Sequence, residues 1–246
     1  MIPDTVRAYV AGLFDGEGCL YFPTKFWGYL LDASITNTNL NCLLFVQSLY
    51  GGSIQAKNNH NVKCYGLHIR KKETLKHFIE DIYSYSIVKK EILQKGANIL
   101  GISPLIKQHS INTIKAYVAG LIDGEGTITV HHHGRKIGQK SQYLPFICIG
   151  NTNKQCLEFV QKYYYGHITT RKKRQDRKIA YDWNIEGYKR TNRLLNDILP
   201  FLQIKKRQAQ LLIEYQIFNR TTSELTEEKR QFINSIRSLN FHPTLL

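Results

Sequence analysis

The chain is short of acidic residues, of paired cysteines and of long apolar runs, and each shortage excludes something. Against 34 Lys and Arg stand only 19 Asp and Glu, so the formal net charge is +15 and the pI about 9.6. Such an excess asks for a polyanion, and nucleic acid is the first expectation. An anionic membrane is the rival partner. However, no stretch has the length and purity of a spanning helix, and no basic amphipathic tail is suited to lie on a surface. Cys19, Cys42, Cys64, Cys148 and Cys156 are odd in number and include no Cys-x-x-Cys pair. That argues against a disulfide framework and a zinc knuckle, and for thiols in a reducing compartment. The first residues carry neither a basic-then-apolar signal nor an Arg/Ser-rich transit segment. The expected location is therefore intracellular, with no secretion. In a eukaryote the expectation is a mitochondrion or chloroplast that encodes the protein itself, which the many Lys, Asn, Ile and Tyr residues of an AT-rich genome would suit. With 42% hydrophobic residues the chain is globular rather than disordered.

What the sequence has is repetition. Tyr-Val-Ala-Gly-Leu-Phe-Asp-Gly-Glu-Gly begins at Tyr9, and Tyr-Val-Ala-Gly-Leu-Ile-Asp-Gly-Glu-Gly begins at Tyr117. Nine of the ten positions agree. The repeat extends further, because the Asn-Thr-Asn segment beginning at Asn37 returns at Asn151, and Ile87-Val-Lys-Lys returns as Gln203-Ile-Lys-Lys. A repeat of this period dictates the architecture. It divides the chain into an N-terminal half (1–100), a linker (101–111) and a C-terminal half with a helical tail (112–246). The second half has six extra residues within 131–143, a stretch of His, Gly, Lys and Gln that reads as a longer hairpin loop.

Pattern and punctuation give a coarse plan. Motif helices start at candidate N-caps Asp4 and Asn112 and stop at the glycines after Asp15 and Asp123. Strands are expected over 19–26, 29–37, 52–57 and 63–70, with counterparts at 127–133, 144–151, 167–172 and 180–186. Helices are expected over 39–50, 72–84 and 89–100, with counterparts at 153–165, 189–199 and 205–218. The tail has a capping-box start around Ser223–Glu228 and a helical period in Leu225, Phe232, Ile236 and Leu239. The class is α+β: two pseudo-symmetric α-β-β-α-β-β-α halves.

Within each motif the glycines lie four residues apart, Gly12 with Gly16 and Gly120 with Gly124. They share one helical face, and with Ala11 and Ala119 they let two backbones approach closely. Two copies make packing of one motif helix on the other the natural arrangement. Glu17 and Glu125 then fall just past the helix ends, where partial negative charge disfavours a carboxylate. A hard divalent cation would compensate, held by these carboxylates and by backbone oxygens such as those of Gly16 and Gly124. Mg²⁺ is the natural choice and Mn²⁺ its substitute. Acidic residues at the centre of a basic protein suggest metal-assisted phosphodiester chemistry.

The paired motifs, about 110 residues apart with the same elements after each, resemble those of single-chain LAGLIDADG homing endonucleases over roughly residues 4–218. The resemblance implies motif helices at the interface of the halves and, in each half, a saddle-shaped antiparallel sheet that lies in the DNA major groove. It implies that Glu17 and Glu125 bind the catalytic metals, while Asp15 and Asp123 are structural. It gives Asn37 and Asn151 a role in positioning water. It gives Lys89 and Lys205 a role in stabilising charge at the scissile phosphate, with Lys90 and Lys206 as the register-shifted alternatives. Asn37 and Asn151 also suit a strand-to-helix cap.

Strand alternation sets the faces of each sheet. Leu20, Phe22, Ile128, Val130, Ile147 and Ile149 should point toward helices. Cys19, Tyr21, Pro23, Lys25, Asp32, Ser34, Thr127, Thr129, His131, His133, Phe146 and Cys148 should face the DNA, joined by Arg70, Arg171, Lys173, Tyr181 and Trp183 from the later strands. The run His131-His132-His133 does not read as zinc-binding by itself, because adjacent strand residues point to alternate faces. The expected function is a monomeric, site-specific double-strand DNA endonuclease that requires a divalent metal and acts on a long non-palindromic site. The alternatives are an RNA maturase, with intron RNA as partner, and a non-cleaving DNA-binding regulator of the same fold.

Overall fold

A computed structural model describes residues 1–23, 31–59, 62–133, 142–171, 178–219 and 226–240. By internal contacts the chain forms two compact units, Met1–Gly124 and Glu125–Phe241. The five cysteines form no disulfide. Among the described residues no helix is long and apolar enough to cross a membrane.

In the first unit, helix α1 spans Asp4–Glu17 and is buried from Ala8 to Asp15. Asp4 does not cap it. Pro3, fixed in an extended conformation, occupies the cap, and its carbonyl accepts from Val6 and Arg7. Asp4 instead accepts from Arg7 and from Lys107. The second motif helix, α5, spans Ile111–Glu125, so its last residue opens the second unit. Its cap is Ser110, whose hydroxyl accepts from the Thr113 amide at 3.2 Å, and not Asn112. Both helices run through Gly16 and Gly124 to end on the glutamates, further than the glycines suggested. The reason is visible at Gly18, which leaves α1 in an extended conformation and enters the first strand at once, with no left-handed turn.

Strands β1 (Gly18–Tyr21), β2 (Asp32–Asn37), β3 (Ser53–Asn59) and β4 (Val62–Ile69) form an antiparallel sheet in the order β1-β2-β4-β3. One face carries Leu20, Ala33, Ile35, Leu67 and Ile69, all buried. Helix α2 (Leu40–Tyr50) connects β2 to β3, and α3 (Lys72–Tyr83) and α4 (Lys90–Leu100) follow β4. In α3, Leu75, Phe78, Ile79 and Ile82 make the apolar stripe. The Phe78 ring meets Phe14 and Tyr50 edge-on, with centroids 5.3 and 5.1 Å away. Phe22 is only half-buried.

Also within this unit, α5 packs directly on α1. A Cβ added at Gly12 would lie 2.0 Å from the Tyr117 carbonyl oxygen, and one at Gly120 would lie 2.0 Å from the Tyr9 carbonyl oxygen. Only glycine permits that approach. The side chains reciprocate: the Tyr9 hydroxyl donates to Asp123 and the Tyr117 hydroxyl to Asp15, each at 2.9 Å.

The second unit repeats the sheet with β5 (Gly126–His133), β6 (Gln142–Asn151), β7 (His167–Thr170) and β8 (Tyr181–Glu186), in the order β5-β6-β8-β7. Ile128, Val130, Ile147, Ile149, Trp183 and Ile185 form its buried face. Helices α6 (Lys154–Tyr164), α7 (Tyr188–Ile198) and α8 (Lys206–Asn219) correspond to α2, α3 and α4. The order is therefore α-β-β-α-β-β-α-α in each repeat, with α3 and α4, like α7 and α8, forming a pair that closes it. The tail helix α9 spans Glu227–Ser238 and starts on Thr226, whose hydroxyl accepts from the Lys229 amide at 3.3 Å. Ser223 and Leu225 lie outside the described residues. Ile233 and Ile236 supply the buried side of α9, while Leu239 is exposed. The tail also covers an open sheet edge: Arg237 donates to the Val130 carbonyl and Asn240 to that of Ile128, both on the outer strand β5.

Candidate catalytic and nucleic-acid-binding site

Each motif acid sits at a helix terminus that would repel it. Glu17 is the last residue of α1 and half-buried; Glu125 is the last of α5 and exposed. Gly16 and Gly124 stand one residue before them, in the last turn, where carbonyls lie beyond the reach of the helix's own amides. Gly124 lies close to Glu17, since a Cβ added there would meet the Glu17 Cγ at 3.2 Å.

Asp15 shows how the end of α1 is held. Its buried carboxylate accepts from the Ser86 hydroxyl at 2.5 Å, from the amides of Ile87, Val88 and Lys89 at 2.6, 3.0 and 3.1 Å, and from Tyr117. These bonds anchor the start of α4 to the end of α1. The Lys89 ammonium is thereby brought to the Asp15 carbonyl oxygen, 2.6 Å away, over the Phe14 ring. A cation there offsets the negative helix end. Lys90 turns elsewhere: its ammonium donates to the Tyr83 carbonyl, and burial lowers its pKa. Of the two ammonium groups, that of Lys89 is the one bonded to the motif helix. In the second unit Lys205 holds the matching backbone position, accepting from the Ala209 amide at 3.0 Å as Lys89 does from Leu93 at 2.9 Å.

Asn37 and Asn151 also behave alike. Each side-chain oxygen accepts, at 2.8 Å, from the amide two residues on, that of Asn39 or Asn153. Asn39 and Asn153 in turn cap α2 and α6. The matched asparagines therefore build the strand-to-helix turn.

The outer face of the first sheet carries a row of Cys19, Ser34, His68 and Ser53, paired across all four strands. Tyr21 is half exposed beside Asp32. Asp32 lies on this face but is 6% exposed, because His68 at 2.9 Å and Arg70 at 3.0 Å close over its carboxylate. Lys25 lies outside the described residues, as does Lys173 of the second half.

In the second unit the corresponding rows are Thr127–Cys148–Asn184–His167 and Thr129–Phe146–Glu186. Arg171 grips Asp182 with two nitrogens, Nε at 2.7 Å and Nη2 at 2.5 Å. That contact raises the arginine's pKa. Burial, reinforced by Asp182, pushes the Cys148 thiol up to about 12 and keeps it protonated. His131 and His133 share this face, as alternation requires, and His131 stacks on Phe146. Trp183 and Tyr181 do not. Trp183 pairs with Ile149, is fully buried, and donates its indole N–H to the Tyr165 carbonyl at 2.6 Å. Tyr181 shares its parity, pairing with Asn151. Because Cys148 pairs with Asn184, the outward residues of β8 are Asp182, Asn184 and Glu186. These three, with His68 and Ser53 in the first unit and His167 in the second, are outer-face residues that sequence reading missed. The signal was present in the sequence: Tyr181, Trp183 and Ile185 alternate with Asp182, Asn184 and Glu186, and it is the large residues of this period of two that take the helix-facing side.

Residues 118–222 match the family described as LAGLIDADG endonuclease. No curated protein sequence matches the chain. Among solved structures, the chain is similar to the LAGLIDADG meganuclease I-AabMI bound to uncleaved DNA, with a TM-score of 0.69 at 16% identity over 94% of this chain and 98% of that one. It is similar to the LAGLIDADG homing endonuclease I-LtrWI bound to target DNA, with a TM-score of 0.69 at 15% identity over 96% and 97%. I-SmaMI, bound to an uncleaved DNA target with calcium ions, gives 0.59 at 16% identity over 95% and 97%. Motif, family match and fold agree: residues 118–222 match the LAGLIDADG endonuclease family, and the chain has the fold of the single-chain homing endonucleases.

Proposed function

We propose that the protein is a metal-dependent, site-specific endonuclease that cuts both strands of double-stranded DNA at a long non-palindromic site and acts as a monomer. The observation that carries this reading is the doubled arrangement at the motif ends. Each repeat places a glutamate at a helix C-terminus and a lysine immediately before its closing helix, and Asp15 holds the first lysine against its motif. The donors are hard oxygens, which suit Mg²⁺, with Mn²⁺ as substitute, better than a softer ion. Glu17 and Glu125 would each bind metal, with the Gly16 and Gly124 carbonyls as further oxygen donors. The ion would activate water and stabilise the departing 3′ oxygen. Lys89 and Lys205 would offset charge gathering on the scissile phosphate. With their side-chain oxygens engaged in turns, Asn37 and Asn151 would orient water through their amide nitrogens.

The sheets would read the target. Tyr21, Ser34, Thr129, His131, His133 and Arg171 offer donors and acceptors to base edges, and the remaining basic residues would contact phosphates. Their identities differ between the sheets, so each half-site would be read separately. A genomic origin within an intron fits this role.

Glu17→Gln and Glu125→Gln test the reading. On a target selected from a randomised DNA library, each should abolish double-strand cutting in Mg²⁺ and leave DNA affinity within about twofold, since neutralising a metal ligand does not remove phosphate contacts. Wild-type cutting rates in both variants would sink the metal assignment.

A further inference from the structure

The three consecutive histidines cannot converge on one ion, but the sheet supplies what the run lacks. His131 and His133, two apart on β5, project from the same face. Glu186 reaches that face from β8, two strands away across β6. Its Oε1 accepts from His133 Nε2 at 2.6 Å and lies 3.8 Å from His131 Nδ1. All three ligand atoms fall within 4.8 Å of one another, and no other group of this kind occurs among the described residues.

We propose that His131, His133 and Glu186 form a binding site for a first-row transition cation such as Zn²⁺, a ligand set that includes neither motif glutamate. One carboxylate oxygen facing two imidazole nitrogens is the telling feature. That oxygen can accept an N–H from each ring, and a dication takes instead one lone pair from each of the three groups and holds them together. Zinc binds imidazole nitrogen and carboxylate oxygen at about 2.0–2.2 Å, so tetrahedral ligands stand roughly 3.4 Å apart. The observed separations of 2.6 and 3.8 Å bracket that value, and small side-chain rotations close the difference.

The surroundings favour loading. His131 lies flat on Phe146, with centroids 3.4 Å apart and planes 14° apart, which fixes the ring's orientation. Its pKa is lowered, chiefly by burial, which keeps the ring neutral as a ligand must be. Two imidazoles and one carboxylate suit zinc and its first-row neighbours, unlike the all-oxygen motif ends. Three protein ligands leave at least one coordination position for water or an incoming donor. A bound ion would also tie β5 to β8 across β6.

The test uses the full chain, stripped with chelator and without DNA. Zn²⁺ is titrated by calorimetry, and Co²⁺ is followed by its visible absorption. Wild type should take up one Zn²⁺ equivalent more than the His131→Ala/His133→Ala double variant. The Co²⁺ bands lost in that variant should be those of nitrogen and oxygen ligation, without a thiolate charge-transfer band. Losing a direct ligand should cost no less than losing a supporting partner, about 10–100-fold in affinity, so Glu186→Gln should weaken the site by that much. His77→Ala, which removes the exposed His77–Glu80 pair on α3, should change nothing. All of these positions are partly or fully exposed, and circular dichroism verifies the fold of each variant. Equal stoichiometry in wild type and double variant, an unaffected Glu186→Gln, or a thiolate band would overturn the proposal.

Discussion

The two sheets have the same strand order, the same antiparallel pairing and helices in matching places, yet their outer faces are organised differently. In the first sheet the acid Asp32, on β2, is closed over by His68 and Arg70. In the second the acid Asp182 is on β8, and Arg171 holds it from beyond the end of β7. The position matched to Asp32 is Phe146, which carries His131 stacked on it. The inner faces also differ in one large residue: Leu67 pairs with Ile35 where Trp183 pairs with Ile149. Backbone pairing and helix contact thus fix the frame, while the face turned from the helices takes a different set of side chains in each sheet.

Substitutions at matched positions test whether the two sheets differ as described. The largest effect is expected at the inner faces. Trp183→Ala should destabilise the protein by about 3–5 kcal/mol, and Leu67→Ala by about 2–5 kcal/mol, from lost transfer energy and the cavities left behind. Denaturant melts would measure both, and a loss under 1 kcal/mol for Trp183 would remove it from the core. Next come Gly12→Ala and Gly120→Ala. Each puts a methyl against a backbone carbonyl that cannot yield by rotation, at a cost of about 3 kcal/mol, the upper end of overpacking penalties. The two values should agree closely, since the contacts are reciprocal, and a large disagreement would show that the helix crossing is not symmetric.

Smaller effects separate the outer faces. Asp32→Asn should cost about 1.5–3 kcal/mol, as expected for buried hydrogen bonds to charged partners. Asp182→Asn should cost less than about 1 kcal/mol, because the Arg171 side chain is 55% exposed and water screens the pair. Equal costs would mean that the two acids do the same structural job. The smallest pair is Tyr9→Phe and Tyr117→Phe, each removing one hydroxyl bond worth about 0.5–1.5 kcal/mol. Thermal melts of the single and double variants would show whether the two losses add.

Much of this frame was legible in the sequence because the repeat carries its own punctuation. The glycine spacing gave the helix crossing, and Asn39 and Asn153 marked the starts of α2 and α6. The expected caps Asp4 and Asn112 failed because a neighbour competed in each case: Pro3 was already extended, and Ser110 offered a hydroxyl two residues earlier. The facing of Trp183 failed against the pattern of its own strand, since Tyr181, Trp183 and Ile185 alternate with Asp182, Asn184 and Glu186 and the large residues take the buried face. The convergence of Glu186 on His131 and His133 was illegible for a different reason: it depends on β8 lying next to β6, which no local pattern encodes.

The crossing of α1 and α5 has a consequence for how the chain could have diverged. Duplication ordinarily frees two copies of a segment to drift apart. Here each copy is the other's packing partner: Gly12 meets the Tyr117 carbonyl, Gly120 meets that of Tyr9, and each tyrosine hydroxyl ends on the opposite aspartate. A change in either copy is felt at once by its twin and needs an answering change there. The two decapeptides are thus one structural unit written twice. They still agree at nine of ten positions, while the sheet faces beside them, with no twin to answer to, have gone separate ways.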